Sequence, residues 1–295
     1  MKSITRGYFY AFIATICGSL VYLFSKAALN EVSLPQFGFY WFLFAIFFNS
    51  LMALHPKGGF SISTLTRADY RSLLLIGLIE IVATSSFYAA IAISDNPSVP
   101  SFLRNLEYLF VALLGIILLS ERFGNYARVG ALLTIAGAFI ISSRFTSLSS
   151  LLTGASGLML VSTSFFAVRT TLAKKHIREI SPVVLAINRA VFLLLFALIF
   201  MFSESRSFKV PFSALTWIIA GAFIGPFLTS IFQYSALRYI EASRAAIVQS
   251  STGLFVLIGA FLIFGNFPAT IQIFGGILTM AGVVLLMIGS GNEKT

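Results

Sequence analysis

The sequence predicts an all-α integral membrane protein whose ten transmembrane helices form two inverted five-helix repeats. Three observations predict it. The composition is one that only lipid can solvate, ten apolar runs are long enough to cross a bilayer, and short motifs recur about 146 residues apart.

The chain is 58% hydrophobic and only 10% charged, with a mean hydropathy of +0.95. A soluble domain carries about 25% charged residues and could not bury this much apolar surface. The 32 Phe and 22 Gly agree with a lipid-solvated chain, since Gly lets membrane helices approach closely. The formal charge of +10 would suggest nucleic acid in a soluble protein. Here the basic residues fall in short gaps between apolar runs, the pattern of cytoplasmic anchoring loops, and a nucleic-acid partner is rejected. The single cysteine, Cys17, excludes an internal disulfide and reads as a packing residue.

A spanning helix needs about 20 mostly apolar residues. The first run, 7–27, follows Lys2 and Arg6 as a signal peptide would. It is long, lacks a small-x-small cleavage site and precedes nine similar runs, so it is expected to be retained. The second, 36–54, opens after Asn30 and Pro35. The third, 72–93, follows Pro56-Lys57-Gly58-Gly59 and carries Glu80. The fourth, 99–119, follows Asp95-Asn96-Pro97 and carries Arg104, Asn105 and Glu107. The fifth, 126–142, follows Gly124-Asn125, and the sixth, 154–172, carries Arg169. The seventh, 183–202, opens at Ser181-Pro182 and carries Arg189; the eighth, 215–234, ends on Tyr234. The ninth, 245–264, carries Gln249-Ser250-Ser251-Thr252-Gly253, and the tenth is 269–289. The loops are too short for a soluble domain. Chemistry must therefore lie among the helices or at their mouths.

Ten spans put both termini on one side. With that side inside, thirteen Lys and Arg lie at the cytoplasmic face, against five (Lys26, Arg104, Arg144, Arg206 and Lys209) at or toward the other. That bias places both termini in the cytoplasm. A bacterial inner membrane is compatible with this reading.

The repeat is the most informative feature. Residues 130–137, Gly-Ala-Leu-Leu-Thr-Ile-Ala-Gly, read against 275–282, Gly-Gly-Ile-Leu-Thr-Met-Ala-Gly. Tyr88-Ala89-Ala90 reads against Tyr234-Ser235-Ala236, and Leu34-Pro35 against Ser181-Pro182. Each half, 1–147 and 148–295, then holds five helices. An odd number makes the second half enter from the opposite side. Such inverted halves enclose a substrate site near the midplane and expose it to each side in turn.

These motifs resemble the drug/metabolite transporter superfamily, in its EamA-type branch. The resemblance covers nearly the whole chain. It is carried by Tyr88-x-Ala90, Leu118-Leu119-Ser120-Glu121-Arg122 and the pair Gly130 and Gly137. In the second half it rests on Tyr234-x-Ala236, Glu241-Ala242-Ser243-Arg244-Ala245, Gly275 and Gly282, and on Pro182 followed by Arg189. The resemblance implies a ten-helix fold in which helices 1–4 and 6–9 surround a central cavity and helices 5 and 10 sit outside. It implies transport or export of amino acids, other metabolites or drugs. The halves have diverged: Glu121 is matched by Asn266, Arg189 by Phe42, and the fourth run is unusually polar.

Charge inside a membrane costs about 2.5–3.5 kcal/mol per residue on insertion scales, so each such residue needs a reason. Glu80 reads either as a cavity carboxylate that binds substrate or protons, or as a structural carboxylate paired with an Arg of another helix. Arg104 and Glu107, three apart, share a helix face. They either neutralise each other or meet the two charges of a zwitterion. Asn105 is a helix contact or a cavity donor. Arg189 either snorkels to the cytoplasmic surface or turns to the cavity and pairs with a carboxylate such as Glu80. Arg169 is expected to snorkel, and Lys26 to anchor helix 1 at the interface. Gln249 and Ser250 either bind substrate or join helices. Tyr22, Phe24, Trp41, Phe87, Tyr88 and Tyr234 are candidates for an aromatic cavity wall, and Trp217 reads as belt or packing.

No metal cluster, phosphate loop or nucleophile–base set is found in the sequence, so neither an enzyme nor a cofactor is expected. The expectation is a secondary carrier, an exporter of amino acids or related amphipathic and zwitterionic solutes. It would work as a monomer or homodimer in the bilayer, with protons as a candidate coupling ion. The competing expectation is a proton-coupled exporter of drug cations. The embedded Arg104 and Arg189 favour a substrate with an anionic group.

Overall fold

The computed structural model of the chain describes residues 3–54, 65–94, 103–120, 124–142, 154–264 and 270–291. Lys2, His55, Pro56, Lys57, Gly58, Gly59, Asp95, Asn96, Pro97, Glu121, Arg122, Arg144, Asn266 and Lys294 lie outside the described residues. Among the described residues all regular structure is helical. The helices are α1 (Ser3–Leu29), α2 (Leu34–Leu54), α3 (Arg67–Ile93), α4 (Asn105–Leu119), α5 (Asn125–Ser142), α6 (Gly154–His176) and α7 (Pro182–Ser203). There follow α8, which runs from Phe212 to Tyr239 through a π-helical segment Phe223–Thr229, α9 (Ala242–Gln249), α10 (Thr252–Phe264) and α11 (Thr270–Gly291).

Five of these, α1, α2, α3, α7 and α8, are long and apolar enough to cross a bilayer. Four of the others carry polar interruptions. α6 has 23 residues but carries Arg169, Lys174 and Lys175 along with six hydroxyl side chains. The fourth and ninth apolar runs are each interrupted, at Arg104 and at Ser250-Ser251, so α4, α9 and α10 are short. Outward faces stay apolar: Phe47, Leu132, Ile199, Phe202 and Leu262 are all exposed, as lipid-facing side chains are.

Local chemistry sets several helix starts. Thr66 and Asp69 form a capping box on α3, the Asp69 carboxylate accepting from the Thr66 amide at 2.8 Å. Ser181 caps α7 through its hydroxyl, accepting from the Val184 amide at 3.2 Å, and Pro182 follows at the first helical position. At the end of α8, Lys174 donates to the carbonyls of Leu237 and Ile240, both at 2.7 Å. A cation there meets the negative end of the helix dipole.

α1 runs through the middle of the bundle, against α3, α8, α9 and α10. α2 packs on α7, α3 on α6 and α7, α4 on α6 and α9, and α5 on α11. The α5–α11 contact uses the two recurring motifs against each other. A Cβ at Gly282 would overlap Thr134 and lie 2.6 Å from the Gly130 carbonyl oxygen, so the two backbones touch there. α8 approaches α2 as closely: a Cβ at Gly221 would overlap the buried Trp41 ring.

Candidate functional site

α3 is 27 residues long, and Glu80 stands thirteen residues beyond Arg67, near its middle. That depth is about 20 Å along the helix. The carboxylate is completely buried and holds two guanidiniums from the second half of the chain. Arg169 Nε on α6 lies 3.1 Å from Glu80 Oε1, and Arg189 Nε on α7 lies 3.3 Å from Glu80 Oε2. These Nε contacts are close charge pairs rather than directed hydrogen bonds. Directed bonds come from neutral neighbours. Thr84, one turn on from Glu80, donates to Oε2 at 2.7 Å, and the Tyr234 hydroxyl donates to Oε1 at 3.4 Å. Arg189 donates to Ser230 Oγ at 3.1 Å and to Thr84 Oγ1 at 3.4 Å. Four helices, α3, α6, α7 and α8, thus meet on one carboxylate.

A second pair lies beside it. Arg104 Nε approaches Glu107 Oε2 to 3.0 Å across one helical turn. The Arg104 guanidinium also stacks over Phe87 at 4.9 Å and Phe166 at 4.5 Å, measured to the ring centroids. Arg169 lies 5.1 Å from the Phe166 ring centroid, so that one ring serves two cations. The five charges act on one another as a single cluster. Within it, the accessible members are cations: Arg104 is 16% exposed and Arg189 12%, against 0% for Glu80 and 1% for Glu107.

Arg104 and Arg189 open onto a small central cavity of about 50 Å³. Its wall also includes Tyr22, Tyr88, Gln233 and Gln249, from α1, α3, α8 and α9, with Tyr108 and Thr252 beside them. Irregular backbone shapes three sides of it. Pro226 sits inside the π segment of α8, where it has no amide to donate and the helix widens. Thr229 donates to the Ile224 carbonyl five residues back, at 2.8 Å. Gly225 lets α8 press on Val21 of α1. At the break between α9 and α10, Ser250, Ser251 and Thr252 each turn a hydroxyl onto the carbonyl three residues earlier, at 2.7, 2.7 and 2.6 Å. Such bonds compete with the helical ladder and interrupt it. The third irregular side is the turn at Arg104 that opens α4.

A larger cavity, about 360 Å³, lies between α2, α3, α6 and α7. Its walls are mostly apolar, with Phe42, Leu158, Leu193 and Phe196 beside Thr84, Ser85, Ser86 and Glu204, and it shares Tyr88 with the central cavity. Tyr88 is packed in an aromatic cluster with Phe37, Trp41 and Phe87, at centroid distances of 4.9, 5.7 and 5.0 Å.

The residues singled out in the sequence divide into groups. Tyr88, Arg104, Arg189 and Gln249 line the central cavity, as do Tyr22 and Phe87. Glu80, Glu107 and Tyr234 stand behind it, holding the guanidiniums. Ser250 is turned onto its own helix. Asn105 opens α4, and its side chain lies outside the described residues. Glu80 is paired with an Arg from each of two other helices. Arg169 corrects an expectation: it does not snorkel but is fully buried, because Glu80 offers a counter-charge deeper in the bundle. Lys26 reaches inward to the carbonyls of Ile91 and Ala92, both at 3.4 Å, and Trp217 packs on Phe24. Sequence reasoning missed Gln233, Tyr108 and Thr84. Gln233 adjoins the recurring Tyr234 motif, and an amide in an apolar run was the signal that could have found it.

Known proteins agree with this architecture. A relative from Methanothermobacter thermautotrophicus (strain Delta H), described as an uncharacterized transporter, is 25% identical over 300 residues, spanning 95% of this chain and 85% of its own length. A protein of known crystal structure superposes with a TM-score of 0.76 at 13% identity, over 96% of this chain and 97% of that one, a likeness of fold. The model of the EamA-like transporter family matches twice, over residues 5–143 and 154–288. With both matches together spanning nearly the whole sequence, the chain belongs to the EamA-like transporter family and is an integral membrane transporter.

Proposed function

We propose that the chain is a secondary carrier for small metabolites that bear a carboxylate or a comparable anionic group, amino acids and related amphipathic solutes among them. The observation that carries this reading is the division of exposure within the charge cluster. The guanidiniums of Arg104 and Arg189 reach the central cavity, and both carboxylates stand behind them. A ligand entering the cavity meets positive charge, amide and phenol donors. The adjoining apolar cavity, across Tyr88, suits the aliphatic or aromatic part of such a solute.

Alternating access between two inverted five-helix halves, 1–147 and 148–295, is the mechanism we assign. Exchange symmetry in the packing supports it. Swapping the halves turns the α3–α6 contact into the α8–α1 contact and α3–α7 into α8–α2. It returns α2–α7, α4–α9 and α5–α11 to themselves. The helix breaks at Arg104 and Ser250 fall at matched positions, and broken helices at the midplane are how carriers expose backbone to substrate. In this reading ten spans put both termini in the cytoplasm of a cell such as a bacterium, and the direction is export.

The competing reading, a proton-coupled exporter of drug cations, needs a carboxylate that faces the cavity. Both candidates, Glu80 and Glu107, already have guanidinium partners. Uptake and efflux by purified protein in liposomes, with amino acids, small carboxylates and cationic dyes, with and without a pH gradient, tests the choice. Movement of a carboxylate-bearing solute supports the carrier. Movement of dyes alone, driven by the pH gradient, overturns it.

A further inference from the structure

The central cavity has a mismatch between its size and its charge. At about 50 Å³ it is well below the roughly 300 Å³ at which metabolite pockets begin. Its surroundings nevertheless hold one positive charge too many. Three guanidiniums, of Arg104, Arg169 and Arg189, face two carboxylates, of Glu80 and Glu107, a formal surplus of one positive charge among the described residues of the cluster. An unmatched charge in a low-dielectric interior is costly, and a single monovalent anion cancels this one.

The donors are arranged for it. Tyr22 lines the cavity at 1% exposure with the Arg104 guanidinium beside its hydroxyl, and no group among the described residues accepts the hydroxyl's own proton. The amides of Gln233 and Gln249 line the same cavity and are nearly buried, at 4% and 8% exposure. Two guanidiniums, one phenol and two amides therefore belong to residues that line one small cavity. A buried phenol proton without an acceptor is a standing cost unless a ligand accepts it.

We infer that this cavity binds one small monovalent inorganic anion of halide size. The anion is held between Arg104 and Arg189 with Tyr22, Gln233 and Gln249 donating to it. The inference rests on the reading of the cavity as the place where a solute's anionic group docks. It adds that the protein is not left with bare positive charge between solutes. The incoming anionic group displaces the halide, so the carrier works as an exchanger of one anion for another at this site.

The test uses the full-length protein in detergent, with chloride and bromide as probes and sulfate, a divalent anion without a carboxylate, holding ionic strength constant. Protein-dependent broadening of the ³⁵Cl resonance reports binding, and bromide and acetate are added as competitors. Saturable broadening that bromide reverses is expected. Tyr22→Phe should weaken it about tenfold without lowering the melting temperature, since one charge-assisted bond is lost and the ring stays. Arg104→Lys, which keeps the charge beside Glu107, should weaken it too. Reversal by acetate at similar concentration shows that a carboxylate uses the same site, as the exchange requires. Absence of saturable broadening overturns the inference, as does broadening untouched by both variants or by acetate. Its failure is separable from that of the carrier reading. Liposomes in halide-free sulfate that still move a carboxylate solute at full rate leave the carrier standing and remove the halide. Halide binding with no solute moved does the reverse.

Discussion

Replacing Glu80 by Gln keeps the shape of the side chain and removes its charge. In the native cluster that charge faces Arg169 Nε at 3.1 Å and Arg189 Nε at 3.3 Å. Arg169 has no water to turn to, at 0% exposure, while Arg189 keeps 12% and can relax toward the cavity. The substitution raises the surplus of the cluster from one positive charge to two. Breaking a buried pair from one side costs about 3–5 kcal/mol, because the remaining partner is stranded. Since only one of the two guanidiniums is fully stranded, about 3 kcal/mol is expected for Glu80→Gln. The assay is thermal unfolding in detergent, followed by size-exclusion of the heated sample. The double variant Glu80→Gln/Arg169→Gln removes one charge of each sign and returns the surplus to one. It should be more stable than Glu80→Gln alone, with a coupling of about 1–3 kcal/mol. Native stability of Glu80→Gln, or strict additivity in the double variant, would refute the charge-cluster account.

Other outcomes follow from neighbouring geometry. Thr84→Val deletes the donor to Glu80 Oε2 and the acceptor for Arg189, and should lower stability by about 1.5–3 kcal/mol, with Thr84→Ser recovering most of it in the same melt. Gly282→Ala places a methyl against Thr134 and the Gly130 carbonyl, and should cost about 1–3 kcal/mol by forcing α5 and α11 apart. Arg189→Lys keeps a charge but loses the planar fork that spans Glu80, Ser230 and Thr84. Transport of any carboxylate solute by that variant should fall at least about tenfold in liposome flux. Thr66→Ala, which opens the capping box of α3 far from the cavity, should cost about 1 kcal/mol and leave the solute preference unchanged.

Much of the fold was legible because lipid imposes a simple rule: long apolar runs become helices. The ranges 36–54 and 183–202 match α2 and α7 closely, since Pro and Ser residues punctuate their starts. The interruptions at Arg104 and Ser250-Ser251 were not foreseen. Hydropathy averages over a run, and three consecutive back-bonding hydroxyls leave the average nearly unchanged. The π segment at Pro226 escaped for the same reason. For the site, the spacing of Arg104 and Glu107 stated its own pairing, because i and i+3 share a face. Arg169 did not, because its partner lies 89 positions away on another helix, and only the packing of α3 on α6 brings Glu80 to it. Position along a helix gave its depth but not its facing. Arg169, placed near the cytoplasmic end, was therefore read outward when it turns in.

The most direct test of an anion-accepting central cavity is counterflow in liposomes. Vesicles loaded with an unlabelled amino acid or carboxylate are diluted into the radiolabelled one, using native protein, Arg104→Gln/Glu107→Gln and Arg189→Gln. Accumulation of at least one carboxylate-bearing solute by the native protein, lost in both variants while each still elutes as a folded species, is the predicted result. Undiminished accumulation in both variants, or movement of cationic dyes alone, would contradict it.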